Sequence, residues 1–107
     1  MSTDEFFQNR MPDILRQWSK LFPENVTFGF IIDGTGGGAW QLQKSGENVD
    51  VSSLDDRPKD CEMRCDISVF GDIISGQLSP IRAFSNGQLL LQGDVGLALR
   101  LQDLLQV

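Results

Sequence analysis

The stretch Thr27-Phe28-Gly29-Phe30-Ile31-Ile32-Asp33 decides the architecture, because there the spacing of apolar residues changes from helical to alternating. Phe28, Phe30 and Ile32 fall on one side of an extended chain, and Thr27, Gly29, Ile31 and Asp33 on the other. The two-residue period returns downstream. Trp40 and Leu42 alternate with Gln41 and Gln43, and Val49 and Val51 with Asp50 and Ser52. Cys61, Met63, Cys65 and Ile67 alternate with Glu62, Arg64 and Asp66, and Leu89 and Leu91 with Gln88 and Gln92. The pattern predicts five strands, each with one apolar and one largely polar face. Such a sheet takes helices on one side and water on the other, which makes the fold class α+β.

Helical spacing flanks these strands. Ser2 and Glu5 stand at capping-box distance, and Phe7, Met11, Ile14, Trp18 and Phe22 follow a 3.6-residue stripe. Pro12 interrupts the stripe, so a short first helix and a second one starting at Pro12 are expected, with Pro23 just beyond the end. Phe70, Ile73 and Ile74 mark one face of a short helix ending at Gly76. Pro80 opens another helix, which carries Ile81 and Phe84 and closes at Asn86-Gly87. Gly93-Asp94 caps the last helix. Its main stripe is Leu97, Leu101, Leu104 and Leu105, and Val95 and Leu99 form a second stripe on a different side. A one-faced surface helix needs a single stripe. The surplus has three readings: core filling, a bound apolar ligand, or a partner chain.

A chain of 107 residues predicts one domain, residues 1–107, able to bury a core without staples. Nine Lys and Arg face fifteen Asp and Glu, a formal charge of −6, and the basic residues are scattered. That argues against nucleic acid, which needs a clustered positive footprint, and against more than transient contact with anionic membranes. No apolar stretch has the length of a bilayer span, and Met1 to Phe7 carries acids but no basic region of the secretory kind. A cytoplasmic location is expected. The absence of His excludes His-based triads and His metal sites.

The motifs that carry chemistry elsewhere read blandly here. Gly34-Thr35-Gly36-Gly37-Gly38-Ala39 matches the dinucleotide fingerprint in form, but Trp40 to Lys44 continue as a strand, so the glycines read as a hairpin. Cys61 and Cys65 lie on one face of a strand roughly 13 Å apart, beyond disulfide reach, and read as small core residues. Asp55, Asp56 and Asp60 surround one Arg and one Lys in a loop expected to be solvated, without the spaced ligands of a calcium site. No Ser sits in a nucleophile elbow. No metal, cofactor or covalent chemistry is implied, and the chain reads as a non-enzyme.

From Asp60-Cys61-Glu62-Met63 through Phe70, Ile73-Ile74-Ser75-Gly76-Gln77-Leu78-Ser79-Pro80, Ala83-Phe84 and Gly87-Gln88-Leu89, the chain resembles the sterol carrier protein 2 (sterol-transfer) domain family. The likeness runs on through Gly93-Asp94-Val95-Gly96-Leu97-Ala98 to Leu99-Arg100-Leu101-Gln102-Asp103-Leu104. The Met11-Pro12 helix, the Phe28 strand and Trp40-Gln41-Leu42 look like those of short bacterial members. The resemblance implies a five-stranded, mostly antiparallel sheet with helices packed on one face and an apolar tunnel between. It implies non-covalent binding and carriage of a fatty acyl, acyl-CoA, sterol-like or isoprenoid-like lipid. Carried over by motif position, Phe70, Ile74, Leu78, Phe84, Leu97 and Leu101 are candidate tunnel lining, with Trp40, Ile81 and Leu105 added more loosely. Two alternatives remain: an accessory module presenting an isoprenoid lipid, such as a quinone precursor, to biosynthetic enzymes, and a homodimerisation module. Leu90, apolar where the family's strand is often polar, motivates the second. Gly71 stands inside the predicted helix where members usually carry a larger residue; it costs about 1 kcal/mol of helix propensity and leaves room for a ligand.

Overall fold

The computed structural model describes residues 2–105. The five predicted strands are present: β1 (Asn25–Asp33), β2 (Gly38–Ser45), β3 (Asn48–Ser53), β4 (Cys61–Asp66) and β5 (Leu89–Gly93). They form one sheet in the order β3-β2-β1-β4-β5. β1 pairs antiparallel with β2 and parallel with β4; the other pairs are antiparallel. The register aligns the apolar sides into rows. Val51, Leu42, Phe28 and Cys61 lie side by side across four strands, and Trp40, Phe30, Met63 and Leu91 make the next row. Ile67 does not continue β4 as the alternation suggested. The Asp66 carboxylate accepts the Ser68 N–H at 2.9 Å and starts a helix one residue earlier.

The glycine run is a hairpin. Ile32 pairs with Gly38, the Gly37 N–H donates to Gly34 O at 3.0 Å, and Gly34 and Gly36 hold φ of 108° and 85°. A phosphate cradle would need a helix after these glycines, and β2 follows instead.

The parallel β1–β4 pair obliges the chain leaving β3 to cross the sheet. It does so over the face opposite the helices, which corrects one expectation: that face is not left wholly to water, although the 55–60 loop itself is mostly exposed, as expected. Leu54 and Lys59 lie over Gly29, where an added Cβ would come within 3.1 Å of Leu54 Cδ1. Asp55 organises the crossing. Its N–H donates to Gln41 Oε1 and its Oδ2 accepts from Gln41 Nε2, both at 3.0 Å. Arg57 donates to Oδ2 through Nε and Nη2 at 2.8 and 2.6 Å, and Lys59 Nζ to Oδ1 at 2.8 Å.

Arg57 first, then Lys59 and Gln41, hold the Asp55 carboxyl far below its usual value of 3.8. A lowered folded-state pKa adds stability above the ordinary carboxylate range, and that contribution fades as pH falls toward the folded value. Urea midpoints are therefore expected to decline between about pH 5 and pH 2, and to decline less in Asp55→Asn. Parallel slopes for the two proteins would remove Asp55 from the account.

The N-terminal helix departs from the expected break at Pro12. Ser2 Oγ accepts the Glu5 N–H at 3.1 Å, as the capping spacing predicted, and opens α1 (Thr3–Glu5). A π-helical stretch, Phe6–Arg10, joins it without interruption to α2 (Met11–Gln17). The Met11 N–H bonds to Phe6 O, five residues back. This wider turn makes room for the Pro12 ring against the preceding turn, so the helix bulges rather than restarts. Phe7, Met11, Ile14 and Phe22 are buried as the stripe required, but Trp18 is 42% exposed because α2 stops at Gln17.

Candidate functional site

All helices lie against the apolar face of the sheet. α2 covers β3, while α3 (Ile67–Ile74) crosses β1 and β4. α4 (Pro80–Ser85) packs on β5, and α5 (Val95–Asp103) on β4 and β5. Their ends follow the local code. α3 closes with Gly76 at φ 82°, the Gln77 N–H donating to Asp72 O and the Gly76 N–H to Ile73 O. Ser79 caps α4 through the Arg82 N–H, and Asp94 caps α5 through the Leu97 N–H at 3.0 Å. Arg100 Nη1 donates to Leu21 O at 2.7 Å and ties α5 to the turn after α2.

The predicted lining residues divide into three groups. Leu97, Leu101 and Leu105 are buried between α5 and the sheet, with Val95 and Leu99 half-buried beside them. Phe70 and Trp40 belong to an aromatic cluster with Phe6, Phe7 and Phe30. In it Phe7 stacks on Trp40 at 4.3 Å and on Phe70 at 5.4 Å between ring centroids. Ile74 and Leu78 are half-buried at the edge. Phe84 and Ile81 are not interior: they are 36% and 61% exposed. The six-residue α4 buries only Pro80 and Ala83, which leaves the rest of its circumference outside.

The expected tunnel is closed in this conformation. Between β1, β4 and α5 the space amounts to about 10 Å³, lined by Phe28, Phe30, Met63, Ala98, Leu101 and Gln102 among others. That is room for about one water molecule. The larger apolar space lies to one side. A cleft of about 250 Å³ runs between Ser2, Thr3 and Phe6 on the N-terminal helix and Ile67, Phe70, Gly71 and Ile74 on α3. Small-molecule sites hold roughly 300–1,000 Å³, so this cleft is near the lower bound. Gly71 keeps it open. Its backbone is ordinary helix, and a Cβ built there would meet nothing within 4 Å. Neither conformation nor packing asks for glycine there. Phe70, Gly71 and Ile74 were visible in the sequence. Ser2, Thr3, Phe6 and Ile67 were not, though the adjacent Phe6-Phe7 pair was a signal of two buried rings.

Few polar groups reach the interior. Gln102 is 1% exposed; its amide donates to Met63 Sδ, and its carbonyl oxygen has no partner among the described residues. Lys44 stands in the same apolar row position as Trp40 and Leu42 and is 2% exposed, its Nζ donating to Pro23 O at 2.9 Å. No group of three His, Cys, Asp or Glu able to hold a metal ion occurs among the described residues.

Cys61 and Cys65 are buried free thiols on the apolar face. Burial, reinforced by nearby aspartates, pushes both from the usual 9.0 up to about 12. Both cysteines are expected to react with iodoacetamide at pH 8 about 10³-fold more slowly than a free thiol. Rapid native-state labelling would contradict the burial.

The sequence pattern of the "SCP-2 sterol transfer family" matches residues 13–106. Over 79 residues the chain is 33% identical to hydroxysteroid dehydrogenase-like protein 2 of Xenopus tropicalis. Over 80 residues it is 32% identical to human sterol carrier protein 2. These matches take in 73% and 72% of the chain but only 19% and 15% of those relatives, so the chain spans less than a fifth of their length. Palmitated SCP2L2 from Aedes aegypti, solved in solution, superposes over 100% of this chain and 96% of its own, with TM-score 0.71 and 20% identity. The ubiquinone synthesis protein UbiJ-SCP2 superposes over 96% and 98%, with TM-score 0.63 and 19% identity. Sheet order, helix placement and the matched sequence agree: the chain belongs to the SCP-2 sterol transfer family.

Proposed function

We propose that this chain binds and carries an apolar lipid without covalent chemistry, and that residues 1–107 act as one lipid-binding unit. The ligand class is a fatty acyl, acyl-CoA, sterol-like or isoprenoid-like molecule. The observation that carries the reading is the apolar cleft over Gly71, which opens beside the Phe6–Phe7–Phe70–Trp40 cluster. Phe70, Ile74 and Trp40 are the candidates on that side; Leu101 lines the closed space under α5, and Leu97 and Leu105 are buried in the core. Gln102 Oε1, the side-chain acceptor left open there, would receive a ligand hydroxyl or protonated acid.

Each buried methylene contributes about 0.8 kcal/mol, so a ten-carbon tail supplies roughly 8 kcal/mol before association costs of at least about 4. Binding at the micromolar level follows for the longer tails. The two thiols, buried and held protonated, favour a carrier over a thiolate enzyme.

A second reading has one observation behind it. The similarity to a ubiquinone synthesis protein over nearly the whole of both chains favours an accessory module that offers an isoprenoid lipid to biosynthetic enzymes. Native mass spectrometry after gentle purification separates the two. A co-purifying lipid mass, or micromolar uptake of cis-parinaric acid, supports carriage. Recovery with enzymes and without lipid favours the accessory role. If no lipid is recovered and no probe binds, carriage is lost.

A further inference from the structure

The closed middle poses a geometric question: where a tail longer than the cleft would go. The space under α5 holds about 10 Å³, and its walls are the sheet and a helix tied by Arg100 to the turn after α2. Residues 2–10 are differently held. They contribute Phe6 and Phe7 to the aromatic cluster, and Phe6 forms one wall of the cleft. Their side chains make one hydrogen bond to the rest of the described protein, in which Trp40 Nε1–H donates to Asp4 Oδ1 at 3.0 Å. The Ser2–Glu5 bonds are local to the segment. Arg10, at the far end, has a buried Nε without a partner.

The segment also contains a helical irregularity. From Phe6 to Arg10 the chain runs as a π-helix, a geometry met mostly as single-turn bulges and frequently at functional sites. Beneath it, Phe30, Trp40 and Phe70 present an apolar floor continuous with the Gly71 opening. An apolar tail laid on that floor would replace ring contacts with methylene contacts, like for like.

We propose that the lipid tail is seated where the Phe6 and Phe7 rings now lie, entering over Gly71 and displacing residues 2–10 as a lid latched by Asp4 on Trp40. The proposal rests on lipid carriage and adds the seat and the moving part. Binding strength is then set by the difference between tail and rings on one floor. A short chain that fills only the cleft leaves the lid in place, and a long one lifts it.

Amide exchange tests this on the unmodified protein, with cis-parinaric acid as the probe. At saturating probe, amides of residues 6–10 are expected to exchange at least ten-fold faster, while those of β1 and β4 keep or gain protection. Phe6→Ala, which removes one ring the tail must displace, is expected to bind the probe several-fold more tightly although its melting temperature falls. A ring with a purely structural role would give the opposite change in affinity. Bound probe with unchanged or slower exchange at residues 6–10 overturns the lid and leaves carriage standing. No binding of the probe at all overturns both.

Discussion

Gly71→Leu is expected to weaken binding of an acyl probe about 100-fold while raising the urea midpoint. The two effects have separate causes. Gly71 lies within α3 in ordinary helical conformation, and leucine there regains about 0.8 kcal/mol of helix propensity. Apart from its chain neighbours and its own helix backbone, no atom stands within 4 Å of the position a Cβ would take, so the new side chain meets no steric opposition at its root. It extends into the cleft between α3 and the N-terminal helix. Its four carbons displace about four methylenes of ligand, worth roughly 3 kcal/mol, or two decades of affinity. Gly71→Ala should share the stabilisation and spare most of the binding. Titration of cis-parinaric acid against both variants, with urea melts alongside, separates the terms. A folded Gly71→Leu protein that binds like the parent would mean that the lipid goes elsewhere.

Leu101→Asp should leave the chain unable to hold its native packing. Leu101 is 1% exposed, beneath α5 and against Phe28, Phe30 and Met63. Loss of the leucine side chain alone costs about 2–5 kcal/mol. The carboxylate adds several more, because the side-chain carbonyl of Gln102 nearby is an acceptor and no cation lines the site among the described residues. The sum is comparable with the whole stability of a domain, about 5–15 kcal/mol. Leu99→Asp, on the half-buried side of the same helix, should cost only about 1 kcal/mol. Near-ultraviolet circular dichroism and urea melts distinguish the outcomes. A native spectrum and parental midpoint for Leu101→Asp would show that the space under α5 opens readily, which would move the ligand seat there.

Much of this fold was legible because its signals are local. The alternation in 27–33 and 61–65 depends on one strand at a time, and each apolar row emerged buried. Ser2, Ser79, Asp94, Gly76 and Gly87 did what capping chemistry requires of them. The misreadings came where two local signals competed, or where a distant partner decided. Pro12 is a helix breaker in isolation, yet a π-turn absorbs it. Lys44 falls in the period of the inner row, and only the structure shows the carbonyl of Pro23 that makes its burial tolerable. The 55–60 loop reads as charged and solvated, and it is mostly exposed; what the chain alone did not show is that the β1–β4 pairing draws it across the sheet, where Gln41 pins it.

The candidate site divides in the same way. Phe70, Ile74 and the unusual Gly71 could be chosen from the chain alone, since a glycine inside a helix asks for a reason. Phe84 and Ile81 could not be rejected, because the same spacing serves a buried or an exposed helix face. Phe6 and Thr3 reach the cleft only because the N-terminal helix lies beside α3, more than sixty residues away in sequence.

Period-two and period-3.6 spacing, with caps at the right places, were enough by themselves to determine the five strands, the α+β class and the face that takes the helices. Backbone hydrogen bonding leaves an alternating chain no other economical arrangement. Only the tertiary structure decided that the middle is filled, that the open space lies over Gly71, and which end of the chain walls it. Volume is a property of side chains from several elements at once, and no stretch of sequence carries it alone.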